Sequence, residues 1–324
     1  MQQKKSKINF SKNYSYYYHH DFDGIASGAV LLYFLKSCGS NIKKFKFMGH
    51  GFSFEEWKSL KEKYPIIVTD FWYHPRAEIW FDHHKSTFKK KEWENNFKKD
   101  NLHLLDADSD STCGLIAKHF EKILGIKLNK NLKALVKWAD IIDRAKFKSA
   151  SQAVDLNHPA MQINVFLEES NFGSFEAFLI NEFAEKSLKQ IVRHPKIKKV
   201  IRAYKLKFDK TVNFIKENIV EGKVVFLDTS PKDLIDPRFL IYKLYPSCRY
   251  NVFISKHGHS ERPFAIHVGS NPWNRPLRHV NIGELLKRDF FGGGHIFAGA
   301  ANFKTRNQAI NAAHKVVEYL NKHV

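Results

Sequence analysis

Short apolar runs alternate with stretches of helical periodicity in the first third of the chain. We predict strands at Tyr14–His19, Phe45–Gly49, Pro65–Asp70 and Ile79–Asp82. A helical stretch begins at Gly24, and Phe54–Lys63 is predicted to be a second helix. Strands that alternate with helices predict a parallel sheet with helices on both faces, which is an α/β fold.

The middle of the chain is predicted to be helical. Thr112–Leu124 is amphipathic, and either Ser109 or Ser111 can serve as its N-cap. Asn131–Phe147 is predicted to be a further helix. A longer, charged helical pattern then runs from about residue 175 to about residue 216, with one break at Pro195.

A second set of strands follows this long helical pattern. We predict strands at Val224–Asp228, Tyr250–Ile254 and Pro263–Val268, and a terminal helix at Asn307–His323. We therefore expect a parallel-sheet domain in residues 1–185, a helical connector in residues 186–216 and a smaller α/β domain in residues 217–324.

Three of the first four predicted strands end in residues that bind metals. His19, Asp21 and Asp23 surround the end of the first strand, Asp70 closes the third, and His83 follows the fourth. Ligands of parallel sheets bind beyond the carboxyl ends of the strands, so these five side chains should lie close together. The sequence therefore predicts a metal site at this edge of the sheet.

Mixed carboxylate and imidazole ligands suit Mn²⁺, Fe²⁺ or Zn²⁺ better than Ca²⁺. These motifs contain no cysteine, which argues against a structural zinc site. Two such ions can activate water and stabilise the charge of an in-line attack on phosphorus. A fourth aspartate, either Asp140 or Asp143, would complete the ligands of two ions. His84 and the segment Phe291–His295 are candidate donors to a phosphate.

The composition changes this picture in two ways. A formal net charge of +20 attracts polyanions, but 42 of the 53 basic residues are lysine, and an A/T-rich genome would produce the same excess. The charge therefore supports an anionic substrate without naming it. The three cysteines are isolated, and no apolar run could cross a membrane or serve as a secretory signal, so we expect reduced thiols and a cytoplasmic location.

These motifs resemble those of the DHH phosphoesterase superfamily, which is named for the triplet Asp82-His83-His84. The resemblance covers most of the chain and rests on five segments: HHDFDGIASG, VTDFW, FDHHKS, WADIIDRAKFKSAS and FGGGHIFAGA. The last segment resembles the glycine loop of the substrate-binding DHHA1-type domain. The triplet and the glycine loop together carry most of the specificity.

The resemblance implies a role for each matching residue. One metal ion would be held by His19 and Asp21, the other by Asp23, His83 and the fourth-motif aspartate, with Asp70 as the bridging ligand. The ions implied are Mn²⁺ first, with Mg²⁺, Co²⁺ or Fe²⁺ as alternatives. Asp82 would orient an imidazole, His84 would face the scissile phosphate, and the substrate would be gripped by Gly293, Gly294 and His295.

The chain departs from the family pattern at two places. The fourth motif offers two aspartates, of which Asp143 resembles the family ligand more closely, and Asp140 is the alternative. Many DHHA1 domains also carry an Arg-Ser pair before the glycine loop, and this chain lacks it. The substitutes that we consider for that pair are His267, Asn271 and Arg275.

The resemblance implies metal-dependent hydrolysis of a phosphoester in a cleft between two domains. The expected substrates are short oligonucleotides, linear dinucleotides or nucleotides with a terminal phosphate. Exopolyphosphatase activity is the alternative, since polyphosphate also suits a basic protein. A non-catalytic nucleotide-binding or nucleic-acid-binding protein with the same fold is the alternative of another class. We expect no membrane partner, and a homodimer is left open.

Overall fold

The computed structural model describes residues 8–48, 53–170, 173–256, 261–276 and 279–324. The chain divides into two compact units. The N-terminal unit contains residues 1–147 and 157–201, and the C-terminal unit contains residues 148–156 and 202–324. Each unit has its own sheet and its own hydrophobic core.

The first fifteen elements begin with strands and helices that alternate, apart from two strands that follow each other directly, and end with seven consecutive helices. They are β1 (Asn13–His19), α1 (Phe22–Ser37), β2 (Asn41–Met48), α2 (Phe54–Lys58), β3 (Ile66–Thr69), β4 (Ala77–Asp82), α3 (Lys91–Asn96), β5 (His103–Leu105), α4 (Thr112–Leu124), α5 (Lys130–Asp143), α6 (Ala150–Ala153, in the C-terminal unit), α7 (Pro159–Glu169), α8 (Gly173–Glu185), α9 (Leu188–Ile191) and α10 (Pro195–Asn218).

The remaining elements belong to the C-terminal unit. They are β6 (Val224–Asp228), α11 (Arg238–Leu244), β7 (Tyr250–Lys256), β8 (Phe264–Ser270), α12 (Ile282–Phe290), β9 (Gly293–His295), β10 (Ala298–Phe303) and α13 (Arg306–Asn321). Helix α10 begins in the N-terminal unit and ends in the C-terminal unit. In the described part of the chain, no helix is long and apolar enough to cross a membrane.

The sheet of the N-terminal unit is parallel throughout, with the strand order β2-β1-β3-β4-β5. Tyr18 pairs with Thr69, and Thr69 pairs with Phe81. The three central strands β1, β3 and β4 therefore end at the same level. Consecutive tyrosines of β1 are fully buried, so both faces of this strand are covered, as expected for a sheet between helices. The predicted α/β fold is confirmed.

Helix α1 is buried around most of its circumference because it lies in the middle of the N-terminal unit. Thirteen of its 16 residues are buried. At Gly28 a Cβ atom would lie 2.6 Å from the Tyr16 ring, so only glycine permits this approach of helix and sheet. This packing fixes the start of α1 against the end of β1.

The sheet of the C-terminal unit is mixed, with the order β6-β7-β8-β10-β9. Only β6 and β7 are parallel, and the other pairs are antiparallel. Both faces carry apolar residues, because adjacent residues of a strand point to opposite faces. Val224 packs with helices α12 and α13, whereas Val225 packs in a core that includes residues of α10, α11 and α6.

The structure corrects several predicted element boundaries. The helix predicted at 54–63 ends at Lys58, where the Ser59 hydroxyl bonds the carbonyl of Glu55. The helix predicted at 131–147 ends at Asp143, because Ala145 has a left-handed backbone, with φ of 49°. The strand predicted at 45–49 belongs to β2, and its Gly49 lies outside the described residues.

Candidate metal centre

His19, Asp21 and Asp70 form a first group of ligand-type side chains, with ligand atoms within 4.8 Å of one another. His19 ends β1, and Asp21 is the N-cap of α1, where it accepts a 2.8 Å hydrogen bond from Gly24 N–H. Nδ1 of His19 lies 2.6 Å from Asp21 and 3.8 Å from Asp70. A Cβ at Gly24 would collide with the carbonyl oxygen of His19, so this turn requires glycine.

Asp23, His83 and Asp143 form a second group with the same spacing. The Asp23 carboxylate accepts hydrogen bonds from two backbone N–H groups at the start of α4, those of Thr112 (2.7 Å) and Cys113 (2.9 Å). The positive end of the helix dipole favours a carboxylate at this place. Asp23 is thereby fixed at the centre of the unit by a helix almost 90 residues away in sequence.

The imidazole of His83 faces two acceptors. Its Nδ1 lies 3.1 Å from the carbonyl oxygen of Ser109, so Nδ1 carries the proton and donates, since a carbonyl only accepts. In the neutral ring Nε2 then carries a lone pair and no proton, and it lies 3.2 Å from Oδ2 of Asp143. Among the described residues Nε2 has no hydrogen-bond partner. A ring nitrogen and a carboxylate oxygen that face each other with their lone pairs can both bind a cation placed between them.

Asp70 lies close to histidines of both groups of ligand-type side chains. Its Oδ2 faces His19, and its Oδ1 lies 3.5 Å from Nδ1 of His84 and 4.0 Å from Nε2 of His83. Its backbone is left-handed, with φ of 56°, and its N–H donates to the carbonyl of Phe81. Such a backbone costs a non-glycine residue about 1 kcal/mol. The side chain is thus directed between the two groups at an energetic cost to the fold.

Asp82 organises the two histidines that follow it. Its Oδ1 accepts the backbone N–H groups of His83 (2.7 Å) and His84 (3.1 Å), and Nδ1 of His84 lies 2.9 Å away. Asp82 is buried, whereas half of the His84 side chain is exposed. The hydrogen bond to Asp82 raises the pKa of His84 above its ordinary value. Nε2 of His84 is therefore free to face a ligand while the ring is held from behind.

The carboxylates of the two groups have no lysine or arginine partner among the described residues, although Asp21 is hydrogen-bonded to the imidazole of His19. Burial, and then repulsion from neighbouring carboxylates, raises the pKa of Asp23 and of Asp70 well above the ordinary range. Burial also raises the pKa of Asp143. Within the described part of the chain, no lysine or arginine forms an ion pair with Asp21, Asp23, Asp70 or Asp143. Divalent cations would supply the missing charge, so the residues fit the metal ions that the resemblance implies.

The two candidate aspartates of α5 have different surroundings. Asp143 lies in the second group, beside His83. Asp140, one turn earlier, accepts a 2.5 Å hydrogen bond from the hydroxyl of Ser111. Its carboxylate lies so close to Gly114 that a Cβ there would collide with it. Among the described residues Asp140 belongs to none of the groups with metal-ligand spacing. The structure brings Asp143, and not Asp140, to the other ligand-type side chains.

The remaining predicted residues lie in the C-terminal unit. Gly293, Gly294 and His295 form the edge strand β9 and not an irregular loop, and His295 is exposed. Gly294 has φ of 147°, and a Cβ there would collide with the carbonyl of Ala298. Close packing of β9 on β10 therefore explains this glycine without any ligand.

The three substitutes for the missing Arg-Ser pair have protein contacts of their own. Asn271 is buried, and its amide donates to the carbonyl of Cys248 and accepts from Trp273 N–H. His267 bonds Ser255 and stacks on a phenylalanine of β7. Arg275 is exposed and lies over the ring of Phe297. Of the three, Arg275 presents the most accessible charge.

Sequence reasoning missed the part that Thr112 plays. Its backbone N–H bonds Asp23, and its hydroxyl donates to Oδ1 of Asp70 over 3.2 Å. The N-cap of α4 is Ser111, one of the two predicted candidates, whereas Ser109 bonds Asp106. The sequence did indicate a helix that begins at Thr112, and the free N–H groups of a helix start bind anions such as carboxylates. Its distance in sequence from the aspartates concealed the connection.

No family model and no curated protein matches this chain. Solved structures do match it. PggH from Vibrio cholerae, a pGpG-specific phosphodiesterase, has a TM-score of 0.72 at 20% identity, over 97% of this chain and 100% of that chain. A DHH domain from a protein described as a member of a family of ribosomal proteins has a TM-score of 0.60 at 14% identity, over 94% of this chain and 86% of that chain.

The exonuclease RecJ bound to manganese is a third similar structure, with a TM-score of 0.56 at 14% identity, over 95% of this chain and 90% of that chain. At these identities the likeness is one of fold. The DHH-type fold that the sequence motifs predicted is confirmed.

Proposed function

We propose that this chain, whose fold is that of the DHH phosphoesterases, is a metal-dependent hydrolase of phosphoester bonds in linear dinucleotides and short oligonucleotides. One observation carries the proposal: four carboxylates and two imidazoles, three of them buried, form two groups that Asp70 connects, and no lysine or arginine among the described residues pairs with these carboxylates. Burial of Asp23 and Asp70 beside other carboxylates is costly for the metal-free fold, and bound divalent cations would offset that cost.

The proposal assigns six ligands to two divalent ions. His19 and Asp21 would hold one ion, Asp23, His83 and Asp143 the other, and Asp70 would contact both. When bound, the two ions supply an activated water molecule and charge stabilisation at phosphorus. Mn²⁺ is the first ion to test, because carboxylates mixed with imidazoles suit it.

The residues around these ligands hold them in place. The start of α4 fixes Asp23, the carbonyl of Ser109 fixes the tautomer of His83, and Asp82 fixes both histidines of the triplet. Such contacts typically contribute about 10–100-fold to metal affinity or activity. His84 would bind the substrate, since its Nε2 can donate a hydrogen bond to a phosphate oxygen while its Nδ1 keeps the hydrogen bond to Asp82.

The choice of substrate rests on two supports. PggH, a pGpG-specific phosphodiesterase, matches 97% of this chain over 100% of its own length. The net charge of +20 suits an anionic substrate of any length. In the C-terminal unit, the exposed His295 and the N–H groups of the edge strand β9 are the groups that we assign to phosphate binding.

The test is a substrate panel with the Mn²⁺-loaded protein. The panel contains linear dinucleotides, a pentanucleotide, a nucleoside 3′,5′-bisphosphate, polyphosphate and pyrophosphate. We expect the dinucleotides and the pentanucleotide to be hydrolysed, and activity to disappear on chelation and return with Mn²⁺. Asp143→Asn should be inactive, with Asp140→Asn as its matched control on the same helix. Undiminished hydrolysis after exhaustive chelation would refute the two-metal mechanism, and hydrolysis of polyphosphate alone would move the protein to the exopolyphosphatases.

A further inference from the structure

The C-terminal unit contains a cavity of about 590 Å³ between the end of α12, the strand β10 and the helix α13. Aromatic and basic side chains dominate its lining, and none of them belongs to the metal centre. The six that matter here are Phe290, Phe291, Phe303, Arg262, Lys304 and Lys315. We call this cavity the aromatic-basic pocket.

Phe291 stands at the mouth of the aromatic-basic pocket in an unusual state. Its side chain is 93% exposed, so it contributes almost nothing to the core. Its backbone is left-handed, with φ of 54°, at the position that ends α12. Glycine is the usual residue at such a helix end, because it adopts this backbone without strain. Three glycines follow directly, yet the strained position itself carries an exposed aromatic ring. Folding does not explain that choice.

Two lysines of the aromatic-basic pocket carry positive charge without an acidic partner in the described part of the chain. Lys304 and Lys315 form no ion pair among the described residues. The one carboxylate of the lining, Asp289, is bonded by Arg288 through two hydrogen bonds of 2.6 and 2.7 Å. An anion that entered would therefore meet unpaired ammonium groups and little opposing charge.

The edge of β10 adds polar backbone to the same place. Strand β9 pairs with Ala298, Gly299 and Ala300, and it does not reach the last three residues of β10. Asn302 lies in this last part and lines the pocket. Hydrogen-bonding groups, cations and an aromatic ring thus meet within one small cavity.

We propose that the aromatic-basic pocket binds a nucleotide of a single-stranded oligonucleotide, with a base stacked on Phe291 and phosphates held by Lys304 and Lys315. Exposed aromatic rings beside cations bind single strands in this way, without preference for sequence. The inference rests on the proposed function for its choice of ligand. It adds a binding site that the reaction itself does not need and that favours strands longer than two nucleotides.

The experiment is fluorescence anisotropy of a labelled single-stranded hexanucleotide with the full-length protein in EDTA, so that hydrolysis cannot interfere. Phe291→Gly and Phe291→Ala should each raise Kd about tenfold. Phe291→Gly should do so without lowering Tm, because it relieves the left-handed backbone and removes an exposed ring. A ring needed only for folding would give the opposite pair of results.

The lysines are tested through salt. In the double variant Lys304→Ala/Lys315→Ala, the slope of log Kd against log salt concentration should fall by about 1.4, since each phosphate contact in a single strand contributes about 0.7. The matched control is Lys205→Ala/Lys210→Ala, which removes two exposed lysines of α10 and should leave the slope within error.

Three outcomes would overturn the inference. Unchanged Kd in both Phe291 variants would remove the ring from any binding site. An equal loss of slope in the control double variant would reduce the effect to net charge. A change of oligomeric state in Phe291→Gly, measured by light scattering, would assign the ring to a protein contact. The proposed function fails separately: absent hydrolysis by the wild-type protein with Mn²⁺ would refute it, whatever the hexanucleotide binding shows.

Discussion

The backbone N–H of Thr112 donates a 2.7 Å hydrogen bond to Oδ2 of Asp23. This bond joins the first turn of α4 to the first turn of α1, and the hydroxyl of the same threonine reaches Oδ1 of Asp70. One residue thereby positions an aspartate of the second group and the aspartate that lies between the two groups. Its two contacts can be separated, because one uses the backbone and the other the side chain.

Replacing Thr112 by valine should lower metal affinity and leave the fold intact. Valine has the shape of threonine and keeps the backbone bond to Asp23, but it loses the hydroxyl that bonds Asp70. We expect the affinity for Mn²⁺, measured by isothermal titration, to fall about tenfold. Thr87→Val is the control, because it removes a buried threonine hydroxyl that bonds the carbonyl of Phe71 instead. Equal affinities in both variants and the wild type would contradict the role of Thr112.

Asp70→Asn should abolish activity and yet stabilise the metal-free protein. Asparagine tolerates the left-handed backbone at this position and keeps an acceptor for Thr112, so the change removes mainly the charge. At pH 7 the metal-free variant should exceed the wild type in free energy of unfolding, because burial and neighbouring carboxylates raise the pKa of Asp70 and so oppose its charge. Addition of Mn²⁺ should reverse the order, because only the wild type binds it.

The difference in stability between Asp70→Asn and the wild type should depend on pH, and the raised pKa of Asp70 sets the direction of that dependence. Burial and nearby carboxylates raise the pKa of Asp70 in the folded state, whereas the unfolded chain ionises near 3.8. Between 3.8 and the raised pKa the folded metal-free protein holds the extra proton, so its stability falls as pH rises through this range. The advantage of Asp70→Asn should therefore be absent near pH 4 and grow toward neutral pH in thermal unfolding. An advantage that shrinks as pH rises would show that the carboxylate is not destabilising.

The two aspartates of α5 should differ in their effect on metal content. Asp143→Asn removes a charged ligand from the second group, so the Mn²⁺ bound per chain should fall by about one ion, as measured by atomic absorption after gel filtration. Asp140→Asn keeps an oxygen for the Ser111 hydroxyl and should retain full metal content. Loss of metal from the second variant alone would assign the ligand to Asp140.

His295→Ala should affect substrate binding without affecting the metals. The side chain is exposed on β9 and has no part in the metal centre. We expect unchanged Mn²⁺ content and a several-fold higher KM for a dinucleotide, with a much smaller effect on a generic phosphodiester that lacks nucleosides. His323→Ala, an exposed histidine near the end of the chain, is the control. Equal losses on both substrates would instead indicate a role of β9 in folding.

Residue patterns predicted a cluster of ligand-type side chains at one edge of the first sheet because β1, β3 and β4 are short strands, each followed at once by such residues. They could not decide between Asp140 and Asp143, since both lie on one predicted helix and only the packing of α5 fixes which one reaches His83. Strands β9 and β10 were missed because their glycines and alanines have low β propensity, and they are determined instead by the pairing of β10 with β8 and of β9 with β10. Strand β5, with three residues, is too short to give a period.

Residues 148–156 give the chain an unusual order of assembly. Ala150 of α6 packs in the same core as Val225, Ile241 and Phe253, although residues 157–201 between them belong to the other unit. During synthesis, Ala153 at the end of α6 is added 75 residues before Asp228 completes β6 (228 − 153). At about 5–20 residues per second, several seconds pass before Ala150 of α6 can pack against β6. A gene fragment that began at residue 202 would lack this piece of the core from the start.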